Sequence, residues 1–190
     1  MPPELQTPGV VAPRTSDPFE ILGMEPRFDL DLRALEQRHR DLSRALHPDR
    51  YAGAPSAERR LALSRAIDVN EALRVLKDPI RRAEALLARA GAAVTETGGP
   101  KPTPSFLMEV MELREELAEA GRALDLGRVG KLAAAMRGRQ EDVERRLGAA
   151  LDEGRGDPQK ITAAVPVLGE LRYIRRFLDE VSAIEEELAP

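Results

Sequence analysis

The sequence predicts an all-α protein, and three observations carry that prediction. Apolar residues recur at spacings of three and four through nearly every segment between two Pro/Gly-rich breaks. No segment shows the period-two alternation of a half-buried strand. Asp-Pro pairs, Gly and Pro stand where these periodic stretches should start and stop.

The two breaks organise the chain of 190 residues. Residues 1–16 hold four prolines and little apolar periodicity, and read as a disordered tail. The stretch GAAVTETGGPKPTPS, residues 91–105, holds three glycines and three prolines, and its part 91–104 reads as a linker. Two units result, 17–90 and 105–189. Charge divides at the same place: residues 1–90 carry 15 basic and 14 acidic side chains, whereas residues 91–190 carry 14 and 19.

In the first unit, Asp17 is an N-cap with Pro18 at the first helical position, and Phe19, Ile21 and Leu22 form a short apolar turn stopped by Gly23. A second helix starts near Asp31 and carries Leu32, Leu35, His39, Leu42 and Leu46 on one stripe. Pro48 ends it, because the residue before a proline is pushed out of the helical region. A third helix, about 57–77, buries Ala66, Val69, Leu73 and Leu76, and Asp78-Pro79 ends it. A short fourth helix, RRAEALLARAG, closes with Gly91 at C′.

The second unit predicts three longer helices, near 105–120, 123–152 and 158–188. Pro166 and Gly169 interrupt the last: a mid-helix Pro costs about 3 kcal/mol and Gly about 1. Either that helix kinks or its first turns form a separate piece.

Composition excludes several functions. Cysteine is absent, which removes disulfides, thiolate metal sites and cysteine nucleophiles. Two histidines make a histidine-rich metal site an unpromising reading, so no metal and no cofactor is expected. Aromatics are 3% with no Trp, which argues against base-stacking platforms, and the net charge of −4 argues against nucleic-acid binding. No apolar run approaches the ~20 residues needed to span a bilayer, and the N-terminus lacks a secretory h-region. The expected location is the cytoplasm.

The residues that carry a functional argument are His47-Pro48-Asp49, in the loop between the second and third helices. Alone, this tripeptide reads equally as a helix stop with an Asp near the next cap. An acid/base pair of His47 and Asp49 would need a pocket and a positioning shell, and no nucleophile or metal set lies nearby in sequence. On the second helix, Arg33, Arg40 and Arg44 share a narrow arc opposite the apolar stripe; such an arc is either a solvated basic face or a docking face. In FLMEVMELREELAEA, residues 106–120, the core stripe is Phe106, Val110, Leu113 and Leu117. Met108 and Met111 lie away from it among Glu112, Glu115 and Glu119, with Leu107 at the boundary. Methionines on a wet face mark a contact surface, unless another helix of the bundle covers them.

The order PFEILG, His47-Pro48-Asp49, VNEALRVLKDP over residues 17–79 resembles the J-domain, the module that stimulates ATP hydrolysis by DnaK/HscA-type chaperones. The segments FLMEVMELREEL, RRAEALL and LRYIRRFLDE extend the resemblance to about residues 17–188 and identify it with the HscB family of iron–sulfur cluster assembly co-chaperones. It departs from the pattern where His39 and Leu46 stand in place of usual aromatics, where Met111 stands for a common Leu, and where Tyr173 stands for a common Phe. The resemblance implies a J-domain over 17–90 and a three-helix scaffold-binding domain over 105–189. His47, Pro48, Asp49, Arg33, Arg40, Arg44 and Arg50 would contact the chaperone, with Asn70 and Ala72 helping to hold the loop. Leu107, Met108, Met111, Glu112, Glu115, Glu119 and Tyr173 would bind the cluster scaffold IscU, although Tyr173 also reads as simple bundle packing. On this resemblance the chain is not an enzyme but a loader of the scaffold onto the chaperone. Two other readings stay open: a J-domain protein for a different client, and a helical adaptor.

Overall fold

The structure, a computed structural model, describes residues 17–92 and 101–188. The tail expected over 1–16 and most of the linker expected over 91–104 lie outside the described residues. Among the described residues there are eight α-helices, one 3-10 turn and no strand, so the chain is all-α as the periodicity predicts.

α1 (Pro18–Leu22) is capped by Asp17, whose Oδ1 accepts from the Phe19 N–H at 2.9 Å, and it ends at Gly23 with φ +62. α2 (Leu32–Ala45) is capped by Asp31, which accepts from the Arg33 and Ala34 N–H groups. α3 (Ser56–Lys77) packs antiparallel to α2 and also covers α1. Phe19, Leu22, Leu35, Val69, Ala72 and Leu76 form the core of this unit. Three stripe residues differ from expectation. Ala66 and Leu73 are only half-buried, and Leu32 is exposed. The His39–Asn70 hydrogen bond across the hairpin explains Leu32. It sets a register in which Leu32 stands level with Lys77, the last residue of α3, so no further turn covers it.

Asp78 both ends α3 and caps α4 (Pro79–Arg89), accepting from the Ile80 and Arg81 N–H groups. α4 ends as expected at Gly91, φ +78. The Ala92 N–H bonds the Leu87 carbonyl and the Gly91 N–H the Ala88 carbonyl, the double closure that a left-handed C′ glycine permits.

α5 (Pro104–Arg122), α6 (Leu126–Glu153) and α8 (Ala164–Glu187) build the second unit, with α7 (Pro158–Ile161) a single turn between α6 and α8. The helix expected over 158–188 is therefore two pieces. Pro166 is the third residue of α8, where the missing N–H has no intrahelical partner to lose, so it neither kinks nor breaks the helix. Gly169 serves close approach: a Cβ there would stand 3.0 Å from the Pro102 ring, which leans on α8.

α4 touches both α6 and α8, and the buried side chains of the two units form one contiguous cluster. Phe28 is wedged between α4 and α6. Its ring would lie 3.1 Å from a Cβ on Gly148, and the buried Arg82 guanidinium sits 4.8 Å over it while donating 2.7 Å to the Leu76 carbonyl. Two ion pairs span the seam at 2.6 Å, Arg172 to Glu84 and Arg175 to Asp78.

Asp78 makes this seam pH-dependent. Partial burial pushes its carboxyl up, but the Arg175 hydrogen bond and the Arg81 and Ile80 N–H groups outweigh burial, so it titrates below the usual carboxylate range. A depressed folded pKa contributes stability that is present above the unfolded value, about 4, and lost as pH falls through the folded one. Asp78→Asn is expected to lower stability by about 1 to 2 kcal/mol at pH 7. Denaturant titrations of the two proteins should converge as pH falls through the folded value.

Candidate functional site

Two separate surfaces hold the residues singled out from the sequence. The first is the tip of the α2–α3 hairpin. His47 adopts an extended backbone (φ −61, ψ 133), and Pro48 starts the 3-10 turn Pro48–Tyr51. The fixed φ of Pro48 suits the first position of such a turn and stops α2 behind it. The Arg50 N–H donates to the His47 carbonyl at 3.0 Å. The imidazole Nδ1 lies 3.4 Å from both the Asp49 N–H and the Asp49 carboxylate, long contacts that orient the ring only loosely. The side chains of His47 and Asp49 are 59% and 89% exposed. Such a loop holds its polar groups in solvent, not in an enclosed pocket. Among the described residues no group of three or more His, Asp or Glu is placed to hold a metal ion.

Below the tip, Arg33, Arg40 and Arg44 are all exposed on the outer face of α2. Arg40 donates to the Gln37 Oε1 at 2.8 Å and lies 3.9 Å from Glu36. Glu36 is drawn instead to Lys77 at 2.8 Å, and that hydrogen bond holds its carboxyl below the usual range. Arg33, Arg44 and Arg50 make no ion pair among the described residues, so their charge faces solvent. His39, a core or boundary histidine by its place on the stripe, is half-buried and bridges the hairpin. Its Nε2 is 2.8 Å from the Asn70 Oδ1 and 3.3 Å from the Ser43 hydroxyl. Asn70 thus holds α2 against α3, and Ala72 is buried in the core of the unit.

The second surface is the outer face of α5. Met108 is 64% exposed and Met111 63%, and no other helix covers them. Glu112, Glu115 and Glu119 are exposed along the same helix, and Leu107 is half-buried at the edge. At 1.5 Å per residue the stripe from Leu107 to Glu119 is about 18 Å long. Phe106, on the opposite face, is buried and locks α5 to the bundle. Tyr173 of α8 meets it edge-on with ring centroids 6.4 Å apart, and the Arg139 guanidinium lies 5.0 Å over it. Tyr173 is half-buried, so it packs in the bundle and keeps an edge in water, with Arg176 over its ring at 5.7 Å. Met108, Met111, Glu112 and Glu115 share one patch. Tyr173 packs on Phe106, on the other face of α5, and Glu119 stands one turn beyond Glu115, 3.6 Å from Arg128. The sequence reading missed Leu63 and Ile67, exposed on α3 although apolar. Their place off the stripe of Val69 and Leu76 is the signal that would have found them.

No described helix is long and apolar enough to cross a membrane. Residues 102–182 match the family model described as the HSCB C-terminal oligomerisation domain. A co-chaperone protein HscB homolog from Vibrio vulnificus is 36% identical over 170 residues, covering 90% of this chain and 97% of that protein. One from Burkholderia multivorans is 34% identical over 170 residues, covering 90% and 94%. Among solved structures, chaperone HscB from Vibrio cholerae superimposes with a TM-score of 0.78 at 31% identity, over 91% of this chain and 99% of that one. Human co-chaperone protein HscB gives 0.77 at 23% identity, over 94% and 85%, a likeness of fold alone. With over a third of residues identical along nearly the whole length of a relative, and a solved HscB superimposing over nearly all of both chains, the chain belongs to the HscB family of co-chaperones.

Proposed function

We propose that this chain binds an IscU-type iron–sulfur scaffold through α5 and presents it to a DnaK/HscA-type chaperone, whose ATP hydrolysis it stimulates through His47, Pro48 and Asp49. The chemistry is performed by the partners. The exposed hairpin tip carries this reading most directly: a histidine and an aspartate held on a rigid turn, in water, with no enclosing pocket. Arg50 and Arg44 at the tip, with Arg40 and Arg33 further down α2, give this side of the hairpin positive charge, which suits an acidic partner face and sets encounter rate and orientation. The expected location is the cytoplasm, where both partners would be met.

On α5, Met108 and Met111 are apolar anchors of adaptable shape, and Glu112, Glu115 and Glu119 form an acidic border that suits a basic rim on the scaffold. Leu107 and Tyr173 extend the apolar area at the α5 N-terminus. Two exposed anchors with polar surroundings are the arrangement in which a few residues dominate affinity. Met108→Lys is expected to weaken scaffold binding by about tenfold or more, while Glu119→Gln, shared with Arg128, should change it less than threefold. Isothermal calorimetry with the apo-scaffold measures both. Equal affinities for wild type and Met108→Lys would place the scaffold elsewhere.

A further inference from the structure

The most exposed apolar side chains of the first unit stand in the loop-side half and middle of α3. Leu63 is 59% exposed and Ile67 60%, neighbours one turn apart on α3. The His39–Asn70 bond fixes where they stand. Seven residues toward the loop from that pair bring Leu46 on α2 level with Leu63 on α3, both about 10 Å along. Leu63 therefore stands level with the residue before His47. A step of seven residues turns a helix by about 700°, which returns Leu63 to within about 20° of the Asn70 direction, and Ile67 lies about 40° further round, away from the core. Burial agrees: Ala62, Val69, Ala72 and Leu76 point inward while these two do not. Arg59 and Arg60, one turn nearer the loop, are exposed and make no ion pair among the described residues. Arg44 and Arg50 flank the same tip. The result is an apolar pair that begins level with Leu46, at the foot of the His47-Pro48-Asp49 loop, with unpaired arginines on its loop side and Glu71, held by Arg74, one turn beyond Ile67.

We propose that Leu63 and Ile67 form an apolar anchor for the same chaperone that His47-Pro48-Asp49 addresses, entering a hydrophobic socket with an acidic rim. This rests on the reading of the loop as a chaperone contact. The start of the patch at the foot of the loop favours that occupant, and so does the positive charge on its loop side: a second copy of this chain would bring its own arginines against these. The two kinds of contact do different things. Arginines act at a distance and weaken with salt, whereas apolar burial persists in salt and slows dissociation.

The test is the concentration of this chain giving half-maximal stimulation of the chaperone's ATP hydrolysis, at about 50 and 300 mM KCl. Wild type, Leu63→Gln/Ile67→Gln and Arg40→Ala are compared, with thermal melts confirming that all three fold. The double variant is expected to need about tenfold more protein at both salt concentrations while reaching the same maximal rate. The Arg40→Ala deficit should shrink at the higher salt. An unchanged half-maximal concentration for the double variant, with wild type active, overturns the anchor and leaves the loop's role standing. Inactive wild type overturns both. Sedimentation at assay concentration closes the remaining route: a dimer of wild type that the double variant abolishes assigns the patch to a second copy and overturns the anchor.

Discussion

His47→Gln is expected to remove stimulation of the partner ATPase at least tenfold, down to the unstimulated level, without unfolding the protein. The imidazole is mostly in water, and its polar contacts among the described residues are two of 3.4 Å to Asp49. Losing them should change stability by no more than about 0.5 kcal/mol. The melting temperature should therefore move by no more than about 2 °C. What the substitution removes is a ring held at a fixed place on the 3-10 turn. The arginines of α2 are untouched, so encounter with the chaperone should survive, and raising the variant's concentration should not restore the rate. That separation of binding from stimulation marks a residue acting at the contact, not one supporting the fold.

Gly154→Ala is expected to be the most damaging small substitution in the second unit. Gly154 follows α6 with φ −81 and ψ −1, a conformation any residue adopts, so backbone freedom is not its purpose. Its neighbour is the reason. A Cβ there would fall 2.4 Å from the Ile161 Cα and 2.6 Å from its backbone nitrogen. Backbone cannot swing aside as a side-chain tip can, so α7 would have to move and draw the buried Ile161 out of place. Stability should drop by about 3 kcal/mol. That corresponds to a melting temperature about 10 °C lower. Gly138→Ala supplies the contrast: this glycine is exposed inside α6 with nothing within 4 Å of the added methyl. It should stabilise by up to about 1 kcal/mol, because alanine is the better helix former.

Much of this architecture is legible in the sequence, for identifiable reasons. The starts of α1, α2 and α4 are written in Asp17, Asp31 and Asp78 and their stops in Gly23, Pro48 and Gly91, residues whose side chains or backbone restrictions act locally. The outer face of α5 is legible because a helical wheel separates Met108 and Met111 from Phe106 and Val110 whatever the tertiary packing. The features that were not legible depend on contacts between distant segments. Gly154, Gly148 and Gly169 look like weak points in helices until Ile161, Phe28 and Pro102 are seen against them. The exposure of Leu32 follows from the hairpin register, which no local pattern states. Arg82 reads as a surface arginine, yet it is buried over Phe28 because it caps a carbonyl at the end of α3. Tyr173 packs on Phe106 and keeps an edge in water, a division set by how α8 lies against α5 and not by any local pattern.

The central claim is that one chain couples a scaffold to a chaperone's ATPase. Single-turnover ATP hydrolysis by a DnaK/HscA-type chaperone, measured with this protein, with the scaffold, and with both, tests it most directly. Stimulation by the chain that rises further when the scaffold is added, and is lost with His47→Gln in either case, is the predicted result. Wild-type protein that leaves the hydrolysis rate unchanged under all three conditions would contradict it.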